Sequence, residues 1–521
     1  MLRGGALVSM IMLAGCASVD RELLTAELPP PPDTWTATAD VGGIPTGDWV
    51  AAFQDDALYG LIDEAVRRNK DLMAAAANLD AARATSKIAR AALLPTLNSS
   101  GGASRNAIVT DPSLAAQSGG APVGGGLRAQ ELEDMFGIDV DGDGKLDGLD
   151  LDQNGALDAE LPNRRVYINN FSLSATWSWE IDLWGRLTDE KKAAYREARA
   201  SLADYQAARL SLAGAVAQGW FGLIEGRLQR ELADRDVAAR ESNLRVTERR
   251  YERGVASSLD VRLARSALGS SQANRAFRLQ AEKEAARRLE VLLGRYPSAE
   301  VEAANSLPAL HPLAGAGAPG DILARRPDLA AAEARMEAAG LRARATRKLL
   351  LPRLTLSSNF GTSGPNLEDV LDPERLAGNM AAGLFQPLFQ GGRLIANSKR
   401  ARAVVEASLL NYAQTALEAY EQAENALSAE SYLALREDAL KLAYEEAAAA
   451  EELTERRYAS GAATIFDLLN AQTRRISSES AYIQATQQRV SNRVLLYLAI
   501  GGDFLTDAEL AAASGDAATG E

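Results

Sequence analysis

A short helical-hairpin sequence occurs twice in this 521-residue chain, and the two copies are 207 residues apart at every aligned position. Residues 249–262 read RRYERGVASSLDVR, and residues 456–469 read RRYASGAATIFDLL. In each copy a stretch rich in Ala, Leu and Arg ends at a glycine, Gly254 or Gly461. Glycine readily adopts the left-handed conformation that closes a helix, so both stretches are predicted to be helices that end there.

The residues after each glycine predict where the next helix begins. Ser257 and Thr464 are favourable N-cap residues, and Asp260 and Asp467 follow them by three positions. A carboxylate at that position can accept a hydrogen bond from the backbone N–H of the cap residue, which completes a capping box. The chain is therefore predicted to contain two helical hairpins of one design.

The repeat extends well beyond these tips. Gly185 and Gly392 are also 207 residues apart, and each precedes its tip glycine by 69 residues. At about 1.5 Å per residue, this spacing corresponds to a helix of roughly 100 Å. Each repeat is predicted to contain a helix, a strand pair, a long helix, a tip and a return helix. The predicted segments are repeat 1 at 51–295 with its tip at 251–260, a linker at 296–320, and repeat 2 at 321–500 with its tip at 458–467.

An alternating pattern predicts membrane strands. From Phe171 to Ile181, apolar residues alternate strictly with polar ones, and two tryptophans lie near one end. Such a run is typical of a transmembrane β-strand, although a half-buried strand of a soluble sheet remains the alternative. In repeat 2 a noisier alternation runs from Leu354 to Phe360 and from Met380 to Phe389. Residues 352–392 have room for two such strands and a loop of about 20 residues, so the chain offers four strands. Four strands cannot close a barrel and open edges are not tolerated in lipid, so several chains are predicted to share one barrel.

The helices lead to the same expectation. Each long helix is predicted to pair with a return helix of about 36 residues, and the remaining helices, at 56–93 and 321–350, are also short. Two short helices placed end to end match one long helix in length. One chain would then form an open wall of helices, which closes only when several chains assemble.

Repeat 1 has 50 residues that repeat 2 lacks, because Pro95 and Pro352 occupy equivalent positions but are 257 residues apart. This insertion, at about 104–165, contains a 12-residue run beginning at Asp139 that matches the calcium loop of an EF-hand. A second, overlapping copy begins at Asp150. A solvated acidic loop without metal is the alternative. The predicted Ca²⁺ ligands are Asp139, Asp141, Asp143, Lys145, Asp147, Asp150, Asp152, Asn154 and Asp158.

The N-terminus predicts export. A basic Arg3 and an apolar run from Ala6 to Ala14 indicate a signal peptide at 1–15 that is too short to span a membrane. Leu-Ala-Gly-Cys at its end resembles the bacterial lipobox, which implies cleavage before Cys16 and lipidation of its thiol. A plain signal peptide with an incidental cysteine is the alternative. Residues 16–50 are predicted to be a lipidated tether, and residues 501–521 a C-terminal tail.

Composition excludes several classes of function. The net charge of −14 argues against a nucleic-acid partner. The chain has one Cys and one His, which argues against zinc sites, disulfide frameworks and catalysis by a Cys or His nucleophile. No stretch brings a nucleophile and a base together, so the protein is not expected to be an enzyme or to require a cofactor, apart from calcium in the inserted loop.

Four features together resemble a known family: the lipobox, the two Tyr-x-x-Gly tips, the Gly-Arg pairs at 185 and 392, and DILARRPDL at 321–329. The last is similar to a Leu-x-x-Arg-Arg-Pro-Asp signature. The sequence resembles the TolC-like outer-membrane factors, in the lipoprotein branch (NodT/OprM-like) that serves efflux pumps of the resistance-nodulation-division (RND) type. Within the signature, Pro327 and Asp328 also suit the first turn of a helix, which is a purely structural role.

The resemblance implies an α+β membrane protein: a homotrimer with a shared 12-stranded β-barrel, four strands from each chain, continued by a long tunnel of coiled-coil helices. It implies a location in the outer membrane of a Gram-negative bacterium, lipid-anchored and extending into the periplasm. The implied partners are outer-membrane lipid, a periplasmic adaptor (membrane fusion) protein and an inner-membrane RND-type transporter. The residues implied to dock on the adaptor are Arg253, Gly254, Val255, Ser460, Gly461 and Ala462.

The resemblance also implies a gate beside the second tip. Aligning the family's Leu-Leu-Asp-Ala-Gln motif here gives residues 468–472, with Phe466 in an apolar ring and Asn470 in place of the usual Asp. A ring of neutral amides would not attract cations as carboxylates do. Asp467, nearly one turn earlier, is the candidate substitute.

The expected function is an outer-membrane exit duct that conducts small molecules passively, with energy supplied by the inner-membrane pump. An outer-membrane component of a type I-like protein secretion system is a related alternative. An alternative of another class is a calcium-binding coiled-coil or adhesive protein of the cell surface. The strand alternation and the two tips argue against the last reading.

Overall fold

The structure is a computed structural model that describes residues 32, 34–37, 48–110, 164–311 and 318–502. The predicted signal peptide, the lipidation site Cys16, the calcium ligands between Asp139 and Asp158, and most of the tail lie outside these residues. The described chain divides into a helical unit and a sheet unit.

The helical unit contains eight helices in the described residues. They are α1 (Asp56–Arg68), α2 (Lys70–Ala91), α3 (Arg186–Glu252), α4 (Ser258–Leu292), α5 (Ile322–Arg325), α6 (Pro327–Lys348), α7 (Arg393–Ala459) and α8 (Ile465–Ala499). The long helices α3 and α7 have 67 residues each, and their return helices α4 and α8 have 35 each. Helix α3 packs against α2, α4, α6 and α8, while α7 packs against α6 and α8. None of the described helices contains an apolar stretch long enough to span a bilayer.

Two helices predicted as continuous are interrupted. The helix expected at 56–93 breaks at Asn69, whose ψ is 130° and whose side chain accepts a hydrogen bond from Leu72 N (3.0 Å) and donates one to Leu292 O (2.9 Å). The helix expected at 321–350 breaks at Arg326, whose ψ is 123°, because the residue before a proline disfavours the helical conformation. Helix α6 then begins with Pro327 in its first turn, as predicted.

An aromatic cluster lies at the centre of the helical unit. The rings of Trp49 and Tyr497 are stacked with centroids 6.2 Å apart, and those of Phe53 and Phe221 are 5.1 Å apart. All four side chains are buried. Small residues of α3, including Ala213 and Ala217, are fully buried beside them, which lets neighbouring helices approach closely.

The N-terminal segment is attached to this unit at one described point. Trp35 is buried in the same hydrophobic cluster. The carboxylate of Glu424 in α7 accepts hydrogen bonds from the Thr36 N–H (2.9 Å), the Thr36 hydroxyl (2.6 Å) and the Ala37 N–H (2.9 Å). The segment predicted as an N-terminal tether is therefore bound to the long helix α7 at these residues.

The sheet unit is a four-stranded antiparallel sheet in the order β1-β2-β3-β4. Its strands are β1 (Thr96–Thr110), β2 (Arg164–Ile181), β3 (Arg353–Gly364) and β4 (Ala377–Phe385). Strands β1 and β4 each pair on one side only within the described residues.

Three predicted boundaries in this unit were wrong. The insertion was expected to lie at about 104–165, but residues 104–110 belong to β1 and residues 164 and 165 to β2, which stay paired up to Thr110 and Arg164. The loop between β3 and β4 has 12 residues instead of about 20, since β3 continues to Gly364. The last strand ends at Phe385 rather than at 389.

The register gives the sheet two unlike faces, because residues directly opposite one another on antiparallel strands project to the same side. Leu97 opposes Trp177, Trp179 opposes Leu356, and Leu354 opposes Leu384 on one side. We call this the apolar sheet face; its apolar and aromatic members are Leu97, Ala103, Ala107, Tyr167, Phe171, Leu173, Ala175, Trp177, Trp179, Ile181, Leu354, Leu356, Phe360, Met380, Ala382 and Leu384. The polar sheet face contains Asn98, Ser100, Ser104, Ser172, Ser174, Thr176, Ser178, Thr355, Ser357, Asn359 and Asn379.

Candidate functional site: the two hairpin tips

The first tip turns through a Schellman motif. Helix α3 ends at Glu252, and Gly254 follows with φ +77°. The Gly254 N–H donates to Tyr251 O (2.9 Å), and the Val255 N–H donates to Arg250 O (2.9 Å). These two bonds satisfy carbonyls at the end of the helix and require the positive φ that glycine adopts without strain.

The second tip has the same backbone hydrogen bonds. Gly461 has φ +82°, and its N–H donates to Tyr458 O (3.0 Å). The Ala462 N–H donates to Arg457 O (2.8 Å). The two copies thus share a turn geometry as well as a sequence pattern.

Both predicted capping boxes are formed. In the first tip, Asp260 N donates to Ser257 Oγ (3.2 Å) and Ser257 N donates to Asp260 Oδ2 (2.7 Å). In the second, Asp467 N donates to Thr464 Oγ1 (3.2 Å), and both the N–H (2.9 Å) and the hydroxyl (2.7 Å) of Thr464 donate to Asp467 Oδ2. The hydrogen bonds from Thr464 hold the pKa of Asp467 below its usual value.

The predicted docking residues form the exposed surface of the two turns. All six are exposed to solvent in the described chain: Arg253, Gly254, Val255, Ser460, Gly461 and Ala462. Tyr251 and Leu259 add exposed apolar surface beside the first turn.

The two tip tyrosines differ in their surroundings. Tyr251 is 50% exposed, whereas its repeat equivalent Tyr458 is only 7% exposed. The hydroxyl groups of Tyr458 and Thr247 are 3.1 Å apart, and the guanidinium of Arg250 lies 4.8 Å from the Tyr458 ring centroid. Arg250 also donates to Tyr458 O (2.8 Å). The second tip is therefore held against α3 of the same chain.

A small hydrophobic cluster supports this contact. Tyr458, Ile465 and Leu468 are buried together, and Val246 and Leu263 of the first hairpin pack against them. The cluster joins the two hairpins just above their turns.

The three predicted gate residues do not all line the same cavity. Phe466 and Asn470 line a cavity of about 660 Å³ between α4 and α8, together with Asp236 and Arg240 of α3. Asp467 is committed to the cap of α8 and does not line this cavity. Phe466 and Asn470 therefore line one cavity, whereas the side chain of Asp467 lies in the cap of α8.

Two residues beside the predicted gate residues Phe466 and Asn470 were not identified from the sequence. Asp236 and Arg240 form a buried ion pair within one helical turn (2.9 Å), and Arg240 also donates to Thr473 of α8 (3.2 Å). The signal that could have found them is the i, i+4 spacing of opposite charges on α3, which is common on solvated helix faces and therefore does not predict burial.

The Arg-Arg-Pro-Asp stretch connects two helices through the side chain of Arg326. The buried guanidinium of Arg326 binds both carboxylate oxygens of Asp328 (3.0 and 2.7 Å) and donates to Ala499 O (3.1 Å). It thereby ties the start of α6 to the end of α8.

Comparison with known proteins identifies the family. The sequence profile of the outer membrane efflux proteins matches residues 61–295 and 318–502 of this chain. The chain belongs to the outer membrane efflux protein family.

Individual relatives cover almost the whole of this efflux protein. It is 30% identical over 485 residues to the pyoverdine export outer membrane protein OpmQ of Pseudomonas putida, covering 92% of this chain and 93% of that protein. It is 27% identical over 514 residues to the toluene efflux pump outer membrane protein TtgC, also of Pseudomonas putida, covering 95% and 94%. The structure of the CmeC outer membrane channel of Campylobacter jejuni superposes with a TM-score of 0.76 over 94% of each chain at 19% identity, which shows a shared fold.

The efflux protein is therefore an exit duct of efflux pumps in the outer membrane. The family consists of channels, whose task is passage and not catalysis. Within the described residues, no group of His, Cys, Asp and Glu side chains could hold a metal ion.

Proposed function

We propose that three copies of this chain form one duct, in which their sheets close a 12-stranded barrel in the outer membrane and their helices line a periplasmic tunnel. The observation that carries the proposal is the sheet itself, which has two unlike faces and, within the described residues, an unpaired edge at each side. Open edges cannot lie in lipid, so β4 of one copy pairs with β1 of the next until the ring closes.

The dimensions of the apolar sheet face support a membrane location for the barrel. Tyr167 and Trp177 lie on this face of β2, ten residues apart. At about 3.3 Å per residue and a strand tilt of about 40°, they are separated by roughly 25 Å along the barrel axis. That equals the height of the apolar band that aromatic girdles bound in outer-membrane barrels.

The exposed tips support docking on a periplasmic adaptor. A rigid turn that is closed by a Schellman motif and a capping box presents its outer backbone and side chains at little cost in conformational entropy. In our proposal Arg253, Gly254, Val255, Ser460, Gly461 and Ala462 contact the adaptor, which connects the duct to an RND-type transporter of the inner membrane. The transporter supplies the energy, and the duct conducts passively.

The printed names of the relatives support a small-molecule cargo. OpmQ is named for pyoverdine export and TtgC for toluene efflux. We propose that this duct likewise carries small molecules.

The domain division expected from the sequence is part of the proposal. Residues 1–15 are a signal peptide, Cys16 is lipidated and anchors the tether in the outer membrane, and the two repeats follow at 51–295 and 321–500. Calcium binding by the inserted loop, from Asp139 to Asp158, rests on the spacing of its carboxylates alone. Isothermal titration of the chain with Ca²⁺, compared with a variant in which Asp139 and Asp141 are changed to Asn, tests it.

One matched pair of variants tests the membrane barrel. Leu173 belongs to the apolar sheet face and its neighbour Ser174 to the polar one. We expect Leu173→Arg to prevent assembly in the membrane, because an Arg on the lipid side costs about 2–4 kcal/mol at the bilayer midplane. Ser174→Arg, which faces the lumen in our proposal, should assemble as a trimer and lower the single-channel conductance for cations.

Mass and conductance of the purified protein complete the test. A trimer that opens pores in a planar bilayer is the expected result. A monomer without conductance, or equal tolerance of Arg at residues 173 and 174, contradicts the shared barrel.

A further inference from the structure

The contact that buries Tyr458 uses residues that the repeat duplicates. Within one chain, the Tyr458 side chain lies against Thr247 and Arg250 near the end of α3. At the offset of 207, these two residues recur near the end of α7 as Thr454 and Arg457. The second long helix therefore carries a copy of the surface that receives Tyr458.

The duplicated surface has matching local geometry. The Thr247 hydroxyl donates to Asn243 O (2.8 Å), and the Thr454 hydroxyl donates to Ala450 O (2.7 Å), four residues earlier in both cases. The apolar neighbour Val246 corresponds to Leu453, which is 53% exposed. Arg457 is exposed as well. An apolar side chain, a hydroxyl and a guanidinium thus lie on α7 as they do on α3, with no tyrosine of the described chain packed on them.

The corresponding tyrosine is also available. Tyr251 ends α3 as Tyr458 ends α7, and it is half exposed. The described part of one chain therefore has one filled surface of this kind on α3, one without a tyrosine on α7, and one tyrosine, Tyr251, outside any such contact.

We propose that Tyr251 of one copy packs on Leu453, Thr454 and Arg457 of a second copy of this chain. In this contact the Tyr251 hydroxyl bonds to Thr454, and the Arg457 guanidinium stacks on the tyrosine ring and donates to Tyr251 O. The contact reproduces between chains what Tyr458, Thr247 and Arg250 form within one chain.

The geometry of such a contact favours a closed ring. Tyr251 and the receptor surface on α7 are different patches, so the contact is head-to-tail, and a head-to-tail contact must either close on itself or propagate. With the trimer proposed above, intra-chain and inter-chain contacts alternate around a ring of six hairpins. The inference rests on that trimer and adds to it the residues that join neighbouring tips.

Cross-linking between cysteines tests the contact directly. The variant Tyr251→Cys/Thr454→Cys is treated with a short bismaleimide, because a tyrosine-length gap is too wide for a direct disulfide. The matched control is Thr247→Cys/Tyr458→Cys, which places the same pair within one chain. Both variants keep Cys16, whose thiol is blocked by lipid in our proposal. The protein that has Cys16 as its only cysteine is the blank and receives the same bismaleimide treatment.

We expect chains linked to one another in the first variant and only chains of unchanged mass in the control. A trimer by native mass without inter-chain product in the first variant overturns the contact but leaves the proposed duct intact. A monomer by native mass overturns the trimer and the contact together.

A second measurement keeps the proposal testable should the cysteine variants fail to assemble. Arg457→Ala removes the proposed partner of Tyr251, and Arg456→Ala is its control because Arg456 is an exposed neighbour that pairs with Glu452 (3.6 Å). Because the proposed contact joins neighbouring tips, its loss should let the tips separate. We expect Arg457→Ala to raise the open fraction of the channel about fivefold, the equivalent of about 1 kcal/mol, and Arg456→Ala to leave it unchanged. Equal open fractions in the two variants overturn the proposal.

Discussion

The long helix α3 is held in two different ways along its length. Between Leu212 and Ile224 its buried residues are apolar or small and pack into the aromatic cluster around Trp49 and Tyr497. Between Gln229 and Thr247 many of its buried residues are polar. We call these the apolar stretch and the polar stretch of α3.

The partners of the polar stretch are specific side-chain and backbone groups. Gln229 donates to Ser480 O (3.1 Å), Arg240 to Thr473 (3.2 Å), and Thr247 bonds to Tyr458 (3.1 Å). Each such hydrogen bond contributes about 1 kcal/mol net, because water can replace the partner when the contact opens. Removing a large side chain from the apolar stretch costs several times more. We therefore expect the contacts of the polar stretch to cost less free energy to open than those of the apolar stretch.

The largest expected effect is in the apolar stretch. We expect Phe221→Ala to lower the free energy of unfolding by about 3–5 kcal/mol, because it leaves a cavity beside Phe53. Phe277→Ala on α4, where the ring is exposed, is the matched control and should cost less than about 0.5 kcal/mol. Chemical denaturation followed by circular dichroism measures both, and similar losses would contradict the division of α3.

A smaller loss is expected in the polar stretch. Arg240→Met leaves the buried Asp236 carboxylate without its cation, which costs about 3 kcal/mol, the lower end of the range for a broken buried ion pair, because both residues line the cavity between α4 and α8. The double variant Asp236→Asn/Arg240→Met should recover most of that loss, since a buried ion pair replaced as a whole is often neutral. A double variant that is less stable than Arg240→Met alone would contradict this expectation. It would show that the ion pair as a whole stabilises the fold.

The contact between the tips should respond at about the level of one hydrogen bond. Thr247→Val and Tyr458→Phe each remove one hydroxyl from the same pair, and we expect a loss of about 1 kcal/mol for each. Because they remove the same bond, the double variant should lose little more than either single one. Additive losses in a double-mutant cycle would show that the hydroxyl groups act independently.

A pH-dependent contact is expected where the N-terminal segment binds α7. Burial raises the pKa of Glu424, but hydrogen bonds from the Thr36 hydroxyl and from the Thr36 and Ala37 N–H groups outweigh it and hold the pKa below the usual 4.5. A depressed folded-state pKa stabilises the contact fully above pH 4.5 and loses that contribution as the pH falls through the folded-state value. The protection of the Thr36 and Ala37 amides against hydrogen exchange, measured relative to the intrinsic exchange rate at each pH, should fall over that range, and Glu424→Gln should remove the pH step.

The gate variant tests the consequence of an uncharged residue at Asn470. This residue lines the cavity between α4 and α8 with Phe466. In the proposed trimer, Asn470→Asp adds three negative charges, and we expect divalent cations to block the channel at a concentration about fivefold lower. Asn470→Gln keeps the site neutral and is the control. Unchanged block by divalent cations in the Asp variant would contradict the placement of Asn470 in the conduction path.

The local parts of this fold could be predicted from the sequence. The tip glycines, the capping residues Ser257 and Thr464, and the alternation from Phe171 to Ile181 are patterns within a few residues of one another. Their geometry depends on backbone rules that act over the same short distance. The tips and the two faces of β2 followed directly from them.

Features set by distant contacts could not be predicted. The break at Asn69 depends on a carbonyl of Leu292, which is 223 residues away. Tyr251 and Tyr458 have equivalent sequence positions, yet only Tyr458 has Thr247 and Arg250 packed beside it in the chain. Asp236 and Arg240 look like an ordinary surface pair, and only the packing of α8 over α3 buries them.

The equal lengths of the paired helices have a consequence for how this chain can change. Helices α3 and α7 match at 67 residues and α4 and α8 at 35, although the sequences of the two repeats differ at most positions. Inserting one residue into a helix rotates everything beyond it by about 100° and moves it by about 1.5 Å. A single insertion in α7 would turn Tyr458 away from α3 and misalign one tip with the other. Substitutions can therefore accumulate in either repeat independently, but a change in length has to be made in both at once, or in whole turns.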